Sequence, residues 1–211
     1  MPMNIDEILS TSPVLPVVVI DDASHAVPLA RALVAGGVKA IEITLRTPAA
    51  LDAVRAIVWE VPDAIPGVGT VLTEADFDAA AAAGARFAVS PGATPSLMDA
   101  AWRSTLPFLP GVATASELMG AMEAGFSTCK LFPAAQLGGV EALKALAGPF
   151  PNARFCPTGG IDAASAGAYL GLANVLCVGG SWVAPRAAIE AGDYARIEQL
   201  ARAASGLRLA A

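Results

Sequence analysis

The residue of this sequence with the clearest potential for covalent chemistry is Lys130. It lies in the apolar segment 127–133, which is typical of a buried strand. Alternation along this strand predicts that Cys129 and Leu131 face outward and that Lys130 faces the opposite side. Lysine is rarely fully buried without a partner or a purpose. Burial disfavours the charged form of an amine, and a neutral amine attacks carbonyl carbons to form Schiff bases. The alternative is a lysine at a strand edge that extends its ammonium into water. The other lysines, Lys39 and Lys144, have the flanks of ordinary solvated charges.

A carboxylate that could work beside this lysine is Glu42, in the strand-like segment 40–44. Because side chains alternate along a strand, Ile41 and Ile43 are expected to face helices and Glu42 the opposite, interior side. A buried carboxylate needs a cation or a chemical role, and beside a Schiff-base lysine it could move protons. The alternative is an ion pair with Lys130 or Arg46 that takes no part in catalysis.

Arg46 and Thr70 are candidate substrate contacts at the ends of two strand-like segments. The planar fork of Arg46 suits a carboxylate or phosphate held by two hydrogen bonds. Thr70 follows Gly67-Val68-Gly69, where the glycines allow another backbone or a ligand to approach closely. The alternatives are a surface arginine and an ordinary turn after a strand.

Two later strand-like segments end in glycine pairs that could hold a phosphate. The first reads Thr158-Gly159-Gly160 and the second reads Gly179-Gly180-Ser181. Glycine lets phosphate oxygens reach the backbone amides, because a Cβ would block the approach. The alternative is that both pairs form ordinary turns.

The elements that must position these residues repeat as a short apolar strand followed by an alanine-rich helix. Eight strands are predicted, at 16–20, 40–44, 65–70, 87–90, 108–111, 128–132, 154–158 and 175–179. Helix starts are indicated by the capping box from Thr114 to Glu117 and a weaker one from Thr73 to Asp76. A further helix is expected near Asn4–Ser10, before the first strand.

This pattern predicts an α/β fold, a (βα)8 barrel formed by a single domain over residues 1–211. In such barrels phosphate often binds in the loops after the seventh and eighth strands, where the two glycine pairs lie. A doubly wound open sheet is disfavoured, because the turn after the first strand has no glycine.

Composition excludes several classes of protein. The net charge of −6, without a basic run, argues against a nucleic-acid partner. The N-terminus lacks the features of a signal peptide, and no apolar run is long enough to span a membrane. The three cysteines form no CxxC pair and indicate a reduced, cytoplasmic chain. The apolar content of 55% is consistent with surface covered by other subunits.

Other conspicuous residues have structural explanations. The single histidine, His25, has no ligand partners at metal-binding spacing and is expected at a helix terminus or on the surface. Helix capping is the simplest role for Asp21 and Asp22, although a metal site is conceivable. The three tryptophans are expected to be packing residues; they are Trp59, Trp102 and Trp182.

Five motifs, in order along nearly the whole chain, resemble the class I 2-keto-3-deoxy-6-phosphogluconate aldolases, a family that also includes 4-hydroxy-2-oxoglutarate aldolases. The motifs are IEITLRT at 41–47, GVGTV at 67–71, KLFPA at 130–134, FCPTGG at 155–160 and GGSW at 179–182. The resemblance implies a (βα)8 barrel, a homotrimer, no cofactor and no metal.

The resemblance also implies roles for individual residues. Lys130 would form the Schiff base and Glu42 would be the general acid–base. The substrate would be bound by Arg46 and Thr70 at its carboxylate, by Thr158, and at its phosphate by Gly159, Gly160, Gly180 and Ser181. Asp21 and Asp22 depart from the family, where basic residues are frequent, and would disfavour phosphate if they faced the pocket.

The predicted function is therefore cleavage of 2-dehydro-3-deoxy-6-phosphogluconate to pyruvate and glyceraldehyde 3-phosphate, as in the Entner–Doudoroff pathway. Within the family, 4-hydroxy-2-oxoglutarate or the galactonate-derived epimer could be the main substrate instead. A metal-dependent aldolase is disfavoured because the chain has no histidine cluster. A phosphate-binding barrel without activity would explain the glycine pairs but not Lys130 and Glu42 together.

Overall fold

A computed structural model describes residues 3–207 as parallel strands that alternate with helices. The strands are β1 (Val14–Val18), β2 (Ala40–Thr44), β3 (Ile65–Gly69), β4 (Ala88–Val89), β5 (Phe108–Leu109), β6 (Gly111–Val112), β7 (Thr128–Leu131), β8 (Arg154–Pro157) and β9 (Val178–Gly180). The α-helices are α1 (Ile5–Leu9), α2 (Ala26–Ala35), α3 (Ala50–Glu60), α4 (Glu74–Ala82), α5 (Pro95–Arg103), α6 (Ala115–Glu123), α7 (Gly139–Ala147), α8 (Ala166–Leu170), α9 (Arg186–Glu190) and α10 (Tyr194–Ser205).

The strands form two ladders in which every pairing is parallel. One has the order β5-β4-β3-β2-β1-β9 and the other the order β6-β7-β8. Pro110 separates β5 from β6, because proline has no N–H to donate to a ladder. Two isolated parallel bridges connect the two ladders. Phe155 of β8 pairs with Val175, which precedes β9, and Thr158, which follows β8, pairs with Gly179 of β9. The predicted parallel α/β architecture is confirmed.

Strand bounds follow the pairing partners rather than the apolar runs. β2 has the predicted bounds, whereas β1 begins and ends two residues before the predicted segment 16–20. Val14 pairs with Val178 and Val18 with Ile43, so the ladder ends although Val19 and Ile20 continue the apolar run. β9 begins later than predicted, because Val175 makes only an isolated bridge.

Alternation along the strands separates two apolar clusters. Ile41, Ile43, Cys129 and Leu131 belong to the larger cluster, which packs the strands against the helices. A smaller interior cluster combines strand residues with two residues of α1; it includes Ile8, Leu9, Leu15, Ala40, Phe87, Cys156 and Cys177. The predicted orientations of the β2 and β7 side chains are therefore confirmed.

Local signals in the sequence predicted the helix starts correctly. The Thr114 hydroxyl accepts the N–H of Glu117 at 3.2 Å, and the Glu117 carboxylate accepts the N–H of Thr114 at 3.0 Å. The same reciprocal box joins Thr73 and Asp76 at the start of α4. No helix within residues 3–207 is long and apolar enough to cross a membrane.

The packing prediction for the tryptophans is wrong for Trp59, which is 88% exposed on α3. Trp102 is 63% exposed, although its indole N–H donates to the carbonyl of Ala124. Trp182 is half-buried and packs against the larger apolar cluster, as predicted. Sequence periodicity alone did not distinguish the exposed face of α3 at Trp59 from its buried face.

Candidate active site

Lys130 and Glu42 form a buried ion pair on the interior side of the strands. The Lys130 Nζ lies 3.1 Å from Oε1 and 3.5 Å from Oε2 of Glu42. Lys130 is only 5% exposed and Glu42 only 1%, so the lysine does not extend into water from a strand edge. β7 and β2 belong to different ladders, and the pair connects them across the interior. The distance allows direct proton transfer between the two groups.

The pair forms no salt bridge with a third charged group among residues 3–207. The Phe132 ring centroid lies 5.6 Å from the Lys130 Nζ, a distance at which the ring quadrupole attracts a cation. Among residues 3–207, Glu42 is the only carboxylate in contact with Lys130. Two buried opposite charges compensate for each other's lost hydration, and transfer of one proton from the amine to the carboxylate would neutralise both groups.

Gly69 of β3 makes room for the Glu42 carboxylate. A Cβ on Gly69 would overlap the carboxyl group of Glu42, so only glycine fits beside this side chain. The glycines of this segment predicted that another group approaches the strand closely. At Gly69 that group is the side chain of Glu42, a candidate catalytic residue.

The next residue, Thr70, has a left-handed backbone with φ of 60°. A β-branched residue rarely adopts this conformation, and such strain is concentrated at functional sites. The conformation begins where β3 ends, at the carboxyl edge of the strands. No feature of the sequence predicted it, since threonine has no preference for positive φ.

A cavity of about 310 Å³ brings most of the predicted binding residues together. Its walls include Val17, Val19, Arg46, Phe132, Thr158, Gly159, Gly160, Ile161, Gly179, Gly180 and Ser181. Lys130, Glu42 and Thr70 do not line this cavity; Lys130 is linked to it through Phe132. Phe132 was not predicted as a site residue, although its place two residues after Lys130 puts it on the same side of the strand.

The two glycine pairs contribute unpaired backbone amides to this cavity. Gly159 and Gly160 have φ of 100° and 73°, which a side chain would strain. Among the backbone hydrogen bonds of residues 3–207 outside helices and strands, the N–H groups of Gly160 and Ser181 donate to no carbonyl. Successive free amides form concave sites that bind anions. Gly180 is required for another reason, because a Cβ there would overlap the Trp182 ring.

Thr158 is held at the junction of β8 and β9. Its hydroxyl donates to the carbonyl of Cys156 at 3.3 Å, and its backbone is bridged to Gly179. A Cβ on Gly179 would overlap the Thr158 side chain, so glycine at this position lets the threonine approach β9.

Arg46 is exposed at the cavity and forms no salt bridge among residues 3–207. Its guanidinium is therefore available to an anionic ligand. A larger cavity of about 340 Å³ lies elsewhere, beside α1 and the start of β3, and contains none of the predicted site residues. It is at the amino ends of the strands, opposite to the carboxyl ends where the predicted site residues lie.

The acidic residues after β1 are engaged with other partners. Asp22 accepts the N–H of Ser24 at 2.8 Å and caps a short 3-10 helix, and these hydrogen bonds hold the pKa of Asp22 below its usual value. Asp21 pairs with Arg186 at 2.9 Å. Neither residue lines the 310 Å³ cavity, so neither opposes a phosphate there.

His25 has the helix-terminus position expected for it. Its Nδ1 lies 2.6 Å from the hydroxyl of Tyr194 at the start of α10. Residues 3–207 contain no group of three His, Cys, Asp or Glu side chains that could hold a metal ion.

Comparison with known proteins identifies the family. The family model "KDPG and KHG aldolase" matches residues 5–200. The chain belongs to this aldolase family. A KHG/KDPG aldolase of Escherichia coli K12 is 55% identical over 199 residues, which cover 94% of this chain and 93% of that protein.

Two solved aldolase structures are similar over nearly their whole length. The KDPG aldolase of Legionella pneumophila, with pyruvate captured as a covalent carbinolamine, has a TM-score of 0.95 and 46% identity, covering 98% of this chain and 100% of that one. The KDPG aldolase of Zymomonas mobilis with 3-phosphoglycerate has a TM-score of 0.93 and 46% identity, covering 100% and 99%. In this family a pyruvate adduct and a phosphorylated acid have thus both been captured.

Proposed function

We propose that this protein is a class I aldolase that cleaves 2-dehydro-3-deoxy-6-phosphogluconate to pyruvate and glyceraldehyde 3-phosphate. The observation that carries the proposal is the buried Lys130–Glu42 pair, 3.1 Å apart, next to a cavity with free backbone amides. A lysine held beside its own proton acceptor suits imine chemistry, and unpaired amides suit a phosphate. The carbinolamine in the Legionella relative is the adduct that this chemistry forms first.

The covalent step begins when Glu42 takes a proton from Lys130 and the neutral amine attacks carbon two of the keto acid. Glu42 returns this proton to the carbinolamine hydroxyl, which leaves as water and restores the Glu42 carboxylate. The resulting iminium ion accepts the electron pair of the carbon three–carbon four bond. Glu42, directly or through a water, removes the proton of the carbon-four hydroxyl, so glyceraldehyde 3-phosphate departs and a pyruvate enamine remains. Protonation of the enamine by Glu42 and hydrolysis then release pyruvate.

The carboxylate and the phosphate of the substrate are assigned to different residues. Arg46, which has no ionic partner within residues 3–207, and Thr70, with its strained backbone, would hold the carboxylate of the pyruvate part. Gly159, Gly160, Gly180 and Ser181 would hold the phosphate at the other end of the cavity, and Thr158 would contact the substrate between them. The reaction as proposed uses no metal and no cofactor.

A second candidate substrate is 4-hydroxy-2-oxoglutarate, which would be cleaved to pyruvate and glyoxylate. The name of the Escherichia coli relative includes both activities. The free amides of the glycine loops favour the phosphorylated substrate, since 4-hydroxy-2-oxoglutarate is shorter and has no phosphate. The galactonate-derived epimer has the same two ends and differs only in the configuration of a hydroxyl group.

The test is pyruvate release from each of the three substrates, measured with purified protein. We expect the highest kcat/KM for 2-dehydro-3-deoxy-6-phosphogluconate. A higher kcat/KM for 4-hydroxy-2-oxoglutarate would reverse the order of the two candidates. Binding of the phosphorylated acid without any pyruvate would contradict an enzymatic function.

We further propose that residues 1–211 form one domain, a closed (βα)8 barrel with α1 across its amino end. Support comes from the chain of pairings that runs through both ladders. β5 and β6 are separated by Pro110 alone, and the bridges near β8 and β9 connect the remaining edges. The interior cluster, to which α1 contributes Ile8 and Leu9, fits the packed centre of such a barrel.

We also propose a homotrimer in the cytoplasm. Large apolar side chains are exposed on the chain, among them Trp59, Leu72, Trp102 and Met119, and a second subunit could cover some of them. Three free, buried cysteines suit a reducing compartment. Light scattering during gel filtration should give three times the chain mass of 21.2 kDa, and a monomer mass would contradict the trimer.

A further inference from the structure

Two cysteine side chains contact each other on the interior side of the strands, beside the proposed active site. The Cys177 Sγ lies 3.5 Å from the Cys156 Sγ, and both residues are fully buried. Both belong to the interior cluster, whereas the third cysteine, Cys129, belongs to the cluster on the helix side. The proposed mechanism assigns no role to this thiol pair.

Cys156 contacts residues of the site through its position in the ladder. It is the register partner of Lys130, and both side chains point to the interior, so the two are neighbours on adjacent strands. Its Sγ lies 3.9 Å from the Thr158 Oγ1, and its carbonyl accepts the Thr158 hydroxyl at 3.3 Å. Among the described residues, Cys156 therefore makes both hydrogen-bond contacts to the Thr158 side chain.

The number of protons sets the direction of these hydrogen bonds. Either atom of the 3.9 Å contact between the Cys156 sulfur and the Thr158 oxygen could donate. Since the Thr158 hydroxyl gives its single proton to the Cys156 carbonyl, we assign the thiol as the donor. The Cys156 sulfur in turn accepts from the Cys177 thiol. This series of hydrogen bonds runs from Cys177 through Cys156 to Thr158 and leaves the Thr158 hydroxyl in one orientation.

The Cys177 thiol is held in the neutral state that this series of hydrogen bonds requires. Contact with Cys156, burial and the nearby negative charge of Glu42 raise the pKa of Cys177 well above its usual value. A neutral thiol does not compete with Glu42 for the Lys130 ammonium, whereas a thiolate would.

We propose that Cys156, supported by Cys177, is a positioning residue that orients Thr158 toward the bound substrate. This inference rests on the aldolase function proposed above. In a serine at position 156 the Cβ–O bond is shorter than the Cβ–S bond of cysteine. A hydroxyl also forms stronger hydrogen bonds than a thiol does. The serine oxygen would lie farther from Cys177 and Thr158 than the Cys156 sulfur does, so we expect a different hydrogen-bond arrangement around Thr158.

The test compares Cys156→Ser with the matched control Cys129→Ser. Both substitutions change a buried thiol to a hydroxyl, and Cys129 directly precedes Lys130 but faces the helices. Cys156→Ser should lower kcat/KM about tenfold, mainly through KM, whereas Cys129→Ser should change it less than about twofold. Cys177→Ser should have a smaller effect of the same kind. Equal kcat/KM values for Cys156→Ser and Cys129→Ser would overturn the inference.

A double-mutant cycle with Thr158→Val separates positioning from packing. If Cys156 acts through Thr158, Cys156→Ser should lower kcat/KM no further in the Thr158→Val background. Full additivity of the two losses would overturn the inference. If Cys156→Ser does not fold, Cys156→Ala is carried through the same cycle with the same two outcomes. Failure of the aldolase function is distinguishable, because the unmodified protein would then release no pyruvate.

Discussion

At the residue scale, the Lys130–Glu42 pair is costly to bury and costly to break. Each charge loses its hydration inside the protein, and the contact of 3.1 Å is the main compensation for that loss. Such an arrangement adds little to stability compared with apolar packing of the same volume. In the proposed mechanism its value lies in chemistry, because a lysine beside a proton acceptor can give up its proton and attack a carbonyl group.

The first prediction concerns Glu42→Gln, which keeps the shape of the side chain and removes the proton acceptor. We expect kcat to fall by about 10²–10⁴, the usual contribution of general acid–base catalysis. Exchange of the pyruvate methyl protons with deuterium, followed by NMR, should slow in parallel. Glu60→Gln is the control, since Glu60 forms only a surface pair with Arg31. Normal methyl exchange in Glu42→Gln would mean that Glu42 is not the acid–base.

The second prediction concerns Gly69→Ala. The added Cβ would overlap the Glu42 carboxylate, so the ion pair with Lys130 must shift. We expect kcat to fall at least about tenfold, as misplaced catalytic groups lose rate steeply. The control is Gly120→Ala on α6, where a Cβ meets no atom within 4 Å and alanine favours the helix. Activity of Gly69→Ala equal to that of Gly120→Ala would show that Glu42 tolerates displacement.

At the scale of elements, the helices carry their own start signals, and these were readable from sequence. The reciprocal hydrogen bonds of Thr114 with Glu117, and of Thr73 with Asp76, match the predicted capping boxes. The bounds of β2 were also predictable, because its pairing partners cover its whole length.

The third prediction follows from the cap of α6. Thr114→Ala removes the hydroxyl that accepts the Glu117 N–H, and should lower the free energy of unfolding by about 1 kcal/mol. Urea denaturation monitored by circular dichroism measures this change. Ser116→Ala, two residues later on the exposed surface of the same helix, is the matched control and should change stability by less than about 0.5 kcal/mol. Equal losses in both variants would show that the cap contributes nothing.

Other elements depend on contacts that a sequence does not contain. β1 ends where its partners end, so the apolar residues Val19 and Ile20 misled the prediction. The face of α3 that carries Trp59 is exposed although its residue type favours burial. The positive φ of Thr70 is imposed by its neighbours, since threonine itself disfavours that conformation.

At the scale of the whole molecule, the site depends on strands that are far apart in sequence. Glu42 on β2 and Lys130 on β7 are 88 residues apart and meet only when the ladders curve toward each other. The sequence predicted that both side chains face the interior, and the family resemblance predicted that they act together. It did not predict that Cys156 and Cys177 meet, because that contact depends on the offset between β8 and β9.

The measurement that tests the central claim most directly is reductive trapping of pyruvate. Borohydride reduction in the presence of pyruvate, followed by peptide mass spectrometry, should place one reduced pyruvate on each chain, at Lys130. Lys130→Ala should remain unlabelled and inactive, whereas Lys144→Ala, whose lysine pairs with Glu141 on the surface, should be labelled and active. Absence of an adduct, an adduct on another lysine, or normal turnover by Lys130→Ala would contradict the Schiff-base mechanism.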